Sequence, residues 1–345
     1  MEKINLKIGY LLLSLTIMCC STEEVIDSKD STQTNLASIG IVGNSEDTEV
    51  STSSGILLMG GGKDVDQGIQ WMIDKAKGGD FVVLRASGGD AYNDYIYNLG
   101  DLNSVETFRV SSKILANNEE VANSIRAAEA LFIAGGNQAD YVRFWKNTLL
   151  EDAINYLINE KKAPVGGTSA GCAILGGFVF DALKGTVYSD EALENPYIRY
   201  VSLQNKDFID IPILSEIITD THYNDPDRRG RHITFLARII KDWQLQAKGI
   251  GIQEETAVAI DETSIAKVFG RGSAYFLAAN NPDKLPEIVQ KDTALTWNHE
   301  KNALKAIILT DNKDEYINLS NWKDYSSETE QTFYVIDGKL FINNQ

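Results

Sequence analysis

The segment GGTSAGC, Gly166 to Cys172, sets one serine between glycine-bearing turns where an apolar run gives way to a helix-like one. Gly167-Thr168-Ser169-Ala170-Gly171 fits G-x-S-x-G, the pattern of a nucleophile elbow. A sharp strand-to-helix turn projects the apex hydroxyl into the open, and small neighbours leave room for a substrate. The helix that follows aims its free N–H groups at the site, where they stabilise developing negative charge. The same residues also describe an ordinary turn with Ser169 as a helix cap, so the chemical reading needs partners elsewhere in the chain.

A serine hydroxyl is a poor nucleophile at its free pKa and requires a base. The chain has three histidines, His222, His232 and His299. His299 sits in the polar stretch TWNHEKN and reads as a surface residue; His232 follows Arg231 at a helix start, where it caps or faces solvent. His222, in IITDTHYND, directly follows an apolar strand-like run, and a strand end there would place it on the same rim as the glycine clusters. It is the best base available. The acid that would orient its imidazole has three candidates: Asp220, two residues upstream, and Glu254 or Glu255 in GIGIQEETA. Spacing alone leaves them open. Cys172 reads as a small buried apolar residue behind the turn rather than a thiol nucleophile.

These residues must be carried by elements, and from GILLMGGGKD onward strand and helix signals alternate. FVVLRAS, VETFRV, ALFIAGG and APVGG read as buried strands; VDQGIQWMIDKAKGG, NNEEVANSIRAA and QADYVRFWKNTLLEDAINYLINE carry helical spacing. The alternation predicts an α/β fold: a mostly parallel sheet with helices on both faces. Glycine clusters at 60–62, 135–136 and 166–167 fall at the carboxyl ends of such strands, the edge where ligands bind in these sheets. Beyond Gly176 the pattern loosens. Residues from about 177 to 207 read as an insertion over the surface, and the tail is strand-biased, with a hairpin turn at Asp337-Gly338.

With 345 residues, 43% hydrophobic and 23% charged, the chain can bury a substantial core as one large domain or two smaller ones. A formal net charge of −17 argues against a nucleic-acid backbone or an anionic membrane surface as the main partner. MEKINLKIGYLLLSLTIMCC has two lysines, an apolar run and a cysteine pair, the order of a secretory signal of the lipoprotein type, with Cys20 as the lipidated residue. The expected product is an exported, membrane-anchored lipoprotein. The expected organisation is signal 1–20, polar tether 21–53, catalytic domain 54–283 and a strand-rich extension 284–345. Cys172 has no partner in the mature body, so the core must be sufficient without a disulfide.

Five segments, LLMGGGKD, FIAGGNQADYV, GGTSAGCAILGG, DTHYNDPDRRGRH and GIGIQEETA, follow one another in an order that resembles the cyanophycinases and the related aspartyl dipeptidase (dipeptidase E) group of serine peptidases. The resemblance covers roughly residues 55 to 280. It implies a class I glutamine amidotransferase-like fold with serine replacing the cysteine nucleophile. Carried onto this chain, it implies Ser169 as nucleophile, His222 as base and Glu254 as third member. The backbone N–H groups of Gly136 and Ala170 would form an oxyanion hole, and Gln138, Asp220 and Arg231 would contact substrate. The chain departs from the pattern where YNDPD separates His222 from Arg228, and where Gln253 replaces an acidic residue before Glu254.

The expected activity is hydrolysis of peptide or isopeptide bonds, β-aspartyl bonds included, through an acyl-enzyme, with no metal or organic cofactor. The chain order Ser, His, Glu separates it from α/β-hydrolases, whose acid precedes the histidine. Two rival readings are a non-catalytic surface module on the same fold and an amidase or esterase of non-peptide substrates. A homodimer is compatible with each.

Overall fold

The computed structural model describes residues 37–344; the signal, Cys20 and the tether up to residue 36 lie outside the described residues. Five strands form a parallel block in the order Ser104–Arg109, Asp80–Arg85, Ala130–Ile133, Pro164–Thr168, Gly55–Met59. Their side chains alternate between two faces, as the pleat requires. Leu57, Met59, Phe81, Val83 and Phe132 pack with Ile69, Met72 and Ile73 of the helix Asp66–Ala76. Leu58, Val82, Leu84, Ile133 and Val165 face the opposite side, with Val121, Ile125 and Ile154 from the helices Glu119–Ala127 and Leu149–Tyr156. Helices cover both faces of this block, as expected.

The sheet as a whole is not mostly parallel. Outside the block, Ser38–Gly43 pairs antiparallel with Ser104–Arg109 at one edge, and Thr256–Asp261 pairs antiparallel with Gly55–Met59 at the other, followed by Ile265–Gly270, Tyr316–Asn318 and Tyr325–Ser326, also antiparallel, to complete a 10-stranded sheet. A second, 8-stranded sheet is parallel only where Ile217–Asp220 meets Lys248–Ile252 and Phe178–Phe180; its remaining pairs are antiparallel. Short turns enforce antiparallel pairing between Thr256–Asp261 and Ile265–Gly270 and between Thr329–Ile336 and Lys339–Asn344, because a parallel crossover needs a dozen or more residues. Ile217, Ile250, Ile252, Phe276 and Ile307 of the second sheet share one core with the first, and the helix Arg229–Trp243 covers the other face of the second sheet.

Two boundaries differ from the composition reading. Residues 38–43, assigned to the tether, form an edge strand; its half-exposed side chains leave too weak an apolar signal to register. Residues beyond 284 do not stand apart as an extension: Leu304–Leu309 and Thr329–Ile336 continue the second sheet, and Tyr316–Asn318 joins the first. The hairpin at Asp337-Gly338 is present, with both residues at positive φ as a tight two-residue turn demands. Among the described residues no helix is long and apolar enough to cross a membrane.

Candidate active site

The strand Pro164–Thr168 is buried throughout and stops at Ser169, whose φ of 51° and ψ of −118° turn the chain sharply into the helix Ala170–Ala173. The flanking glycines of the motif are there for packing. A Cβ on Gly171 would lie 2.1 Å from the Ile133 carbonyl oxygen, and one on Gly167 would lie 2.6 Å from the Gly171 backbone. Only bare backbone lets strand and helix approach this closely.

His222 follows the strand Ile217–Asp220 and also takes a positive φ, 48°. Its Nε2 lies 2.7 Å from Ser169 Oγ, and its Nδ1 lies 2.5 Å from Glu254 Oε1. With the Ser169 hydroxyl donating to Nε2, the imidazole is the tautomer whose Nδ1–H donates to Glu254. A relay of this kind lets the ring accept the serine proton while the carboxylate stabilises the resulting imidazolium. Glu254 follows the strand Lys248–Ile252, and its side chain is 36% exposed against 25% for His222.

Three successive carbonyls hold the three segments together. Met59 O accepts the Ser169 N–H at 3.0 Å, Gly60 O accepts the His222 N–H at 2.7 Å, and Gly61 O accepts the Glu255 N–H at 2.9 Å. The end of the Gly55–Met59 strand is therefore the backbone template for the relay. Gly61, at φ +95°, leaves no space for a side chain: a Cβ there would sit 2.5 Å from His222 Cε1 and Nε2. The sequence signal was the triple glycine at 60–62, which suggested a ligand rim; its carbonyls instead bind the protein itself.

Ser169 and His222 open on a cleft of about 480 Å³ that Gly136, Gln138 and Arg231 also line. Among the described residues, no backbone carbonyl takes the N–H of Gly136 or of Ala170. Gln138 donates from Nε2 to the Phe180 carbonyl at 3.0 Å, bracing the cleft wall. That wall includes Leu183 and Thr186 of the region read as a surface insertion, so this segment shapes the site instead of merely covering the surface.

Asp220 and Arg231 pair with each other, and of the two Arg231 lines the cleft. Asp220 Oδ1 and Oδ2 accept from Arg231 Nη2 at 2.5 Å and Nε at 2.9 Å, and both side chains are buried. Arg231 Nη1 is directed to the Val187 carbonyl at 3.3 Å. Burial alone would push the Asp220 carboxyl up, but the Arg231 charge and hydrogen bonds outweigh it and hold the carboxyl below its usual range. Asp220 is a partner of Arg231, not of His222. The residue that sequence reading passed over is Arg228. It also lines the cleft; its Nη1 donates to the Thr221 carbonyl at 3.0 Å, and its buried Nε has no hydrogen-bond partner among the described residues. Burial, together with the Arg231 charge, lowers its pKa.

The other two histidines are not surface residues. His232 is fully buried, with Nδ1 3.1 Å from Tyr223 Oη and Nε2 3.2 Å from the Ile218 carbonyl. His299 is buried as well, with Nε2 2.9 Å from the Leu285 carbonyl. Cys172 is buried and has no disulfide partner among the described residues, and burial pushes its thiol far above the usual range, which leaves it inert.

Residues 90–268, just over half of the chain, match the sequence profile of peptidase family S51. The chain belongs to peptidase family S51. It is 25% identical over 189 residues to the cyanophycinase of Synechococcus elongatus, covering 54% of this chain and 52% of that one. To the cyanophycinase of Geminocystis herdmanii (strain PCC 6308) it is 22% identical over 231 residues, 64% of this chain and 79% of the other. The chain thus spans about half the length of the first of these relatives. Among solved structures it is similar to a peptidase from an acI-B1 Actinobacterium, with a TM-score of 0.48, 16% identity, and coverage of 65% of this chain and 91% of that one. It is also similar to a putative peptidase E protein from Listeria monocytogenes EGD-e, with a TM-score of 0.39, 18% identity, and coverage of 64% and 100%. The S51 match contains Gly136, Ser169, His222 and Glu254, whereas the carbonyl template at Met59 to Gly61 lies upstream of it.

Proposed function

We propose that this S51 member is a serine-type peptidase in which Ser169 is the nucleophile, His222 the general base and Glu254 the acid that orients it. The observation that carries the reading is the continuous relay from Ser169 Oγ through both ring nitrogens of His222 to Glu254. His222 Nε2 takes the Ser169 proton as Oγ attacks the amide carbonyl. The Gly136 and Ala170 N–H groups stabilise the oxyanion. The imidazolium then gives its proton to the leaving amine, and a water, deprotonated in turn by His222, resolves the acyl-enzyme.

The substrate class that the site supports is a peptide or isopeptide with a carboxylate near the scissile bond, β-aspartyl linkages included. Arg228 offers a guanidinium to the cleft with no carboxylate among the described residues hydrogen-bonded to it, and such a group is suited to an anionic substrate. The cyanophycinase relatives support an amide-bond substrate. The N-terminal sequence supports export and a lipid anchor at Cys20, which metabolic labelling with a radioactive fatty acid and a Cys20→Ala variant would test.

A serine-directed fluorophosphonate probe tests the catalytic reading. Labelling of the wild type and not of Ser169→Ala is expected; an unlabelled wild type would favour a non-catalytic binding module. Incubation with α-linked and β-aspartyl dipeptide libraries, read by mass, then separates peptidase from esterase and names the bond.

A further inference from the structure

We propose that Asn224 is a positioning residue that ties the segment bearing the base to the segment bearing the acid; the proposal rests on the serine-peptidase reading above. Asn224 belongs to the stretch YNDPD that separates His222 from Arg228. This stretch is a closed turn: Asn224 and Asp227 pair as an antiparallel bridge, and the Arg228 N–H donates to the Tyr223 carbonyl at 3.3 Å. It is clamped from outside. The Asp227 carboxylate accepts from Arg229 Nε at 2.8 Å and Nη2 at 2.6 Å, and the Asp227 carbonyl accepts from Ser189 Oγ at 2.7 Å. The clamped turn directs Asn224 Oδ1 to the backbone N–H of Glu254, 3.0 Å away.

The neighbours of Glu254 show what that bond adds. Gln253 N–H is held by the Ser273 carbonyl at 3.2 Å, and Glu255 N–H by Gly61 at 2.9 Å. Glu254 N–H, between them, is held by Asn224 alone among the described residues. The Glu254 carboxylate is partly exposed and meets the protein at His222 Nδ1. Its aim at the imidazole therefore depends on where its own backbone is fixed, and that anchor comes from two residues beyond His222. The side chain of Asn224 thus ties the base segment to Glu254 itself, beyond the backbone bond from the Tyr223 N–H to the Ile252 carbonyl at 3.1 Å, whereas the Gly60 and Gly61 carbonyls couple the two through a third segment.

The test uses the full chain and the fluorophosphonate probe, with labelling followed over a range of probe concentrations. Asn224→Leu, which removes the acceptor, is expected to lower the limiting labelling rate about tenfold, with the probe concentration at half-saturation and the melting temperature unchanged. Asn224→Ala serves the same purpose should the leucine variant fail to fold. Asn224→Asp keeps an acceptor oxygen in place and is expected to recover the rate to within about threefold. Wild-type kinetics in the leucine and alanine variants, or an aspartate variant as slow as leucine, overturns the proposal and leaves the serine-peptidase reading standing. A wild type that takes no label at Ser169 overturns both.

Discussion

The carbonyl oxygen of Gly60 accepts the His222 N–H at 2.7 Å, and the carbonyls on either side of it hold the Ser169 and Glu255 segments. Three segments far apart in sequence are thereby referenced to one short stretch of backbone. That explains how both Ser169 and His222 persist at positive φ, an unfavourable conformation for residues with a side chain. Each has its N–H fixed by a neighbour on a buried strand end.

Gly61→Ala should therefore disable the relay without unfolding the protein. The new Cβ meets the His222 ring at 2.5 Å and Ser169 Cβ at 3.1 Å, so ring and hydroxyl must separate. A displacement of about 1 Å at reacting atoms costs roughly 100-fold in rate. Steady-state hydrolysis of a cleaved dipeptide, beside circular dichroism of the variant, checks this. A variant with wild-type turnover would show that the contact relaxes elsewhere.

Glu254→Gln keeps the shape of the side chain and removes its charge. A buried triad acid replaced by its amide costs about 10⁴-fold in turnover. Glu254 is 36% exposed, so solvent carries part of the imidazolium stabilisation and the expected loss is smaller, about 10²- to 10³-fold. Glu255→Gln, one residue on, should change turnover little, because Glu255 enters the site by its backbone N–H and its carboxylate pairs outward with Arg271 at 3.3 Å.

The contrast between these two glutamates shows where sequence reading stops. Ser169 stood out in the sequence because a glycine-flanked serine at a strand-to-helix junction was accompanied by a histidine after an apolar strand, and His222 because the chain has three histidines. The acid did not. Strand alternation would put Asp220 on the same side as His222, but the strand ends at Asp220 and His222 lies at positive φ, so alternation no longer holds between them. Asp220 turns instead to Arg231, which lies eleven residues further on, inside a helix. His232 was misread for a related reason. RRGRH looks solvated as a string, yet Arg231 is neutralised by Asp220 and His232 is capped at both nitrogens, so the first turns of this helix are buried. Pairings of this sort are tertiary and leave no local periodicity. The parallel block, built from repeated strand and helix units, did leave one.

Arg231→Met should destabilise the fold more than it harms catalysis in the surviving native molecules. It leaves the Asp220 carboxylate buried without its partner, and breaking a buried pair from one side costs about 3–5 kcal/mol. The double variant Asp220→Leu/Arg231→Met removes both charges together and should regain most of that loss. Urea denaturation of the wild type, the single variant and the double variant measures the difference. If Arg231 instead contacts substrate, the single variant would keep its midpoint and raise KM.

Stability should fall as the solution is acidified below about pH 6.5, the ordinary histidine pKa, and His232 should be one cause. Burial depresses its pKa, outweighing the nearby Asp220 carboxylate. Its surroundings fit the neutral ring: Nε2–H donates to the Ile218 carbonyl while Nδ1 accepts from Tyr223 Oη. The unfolded chain then binds a proton at a pH where the native protein does not. The stabilisation is complete above the unfolded-state pKa and is lost as pH falls toward the lowered folded value. Urea midpoints measured from about pH 7.5 to 5 should decline, and the decline should be shallower in His232→Gln, which bonds in the same pocket without titrating. Parallel curves for the two proteins would assign the acid sensitivity to other groups.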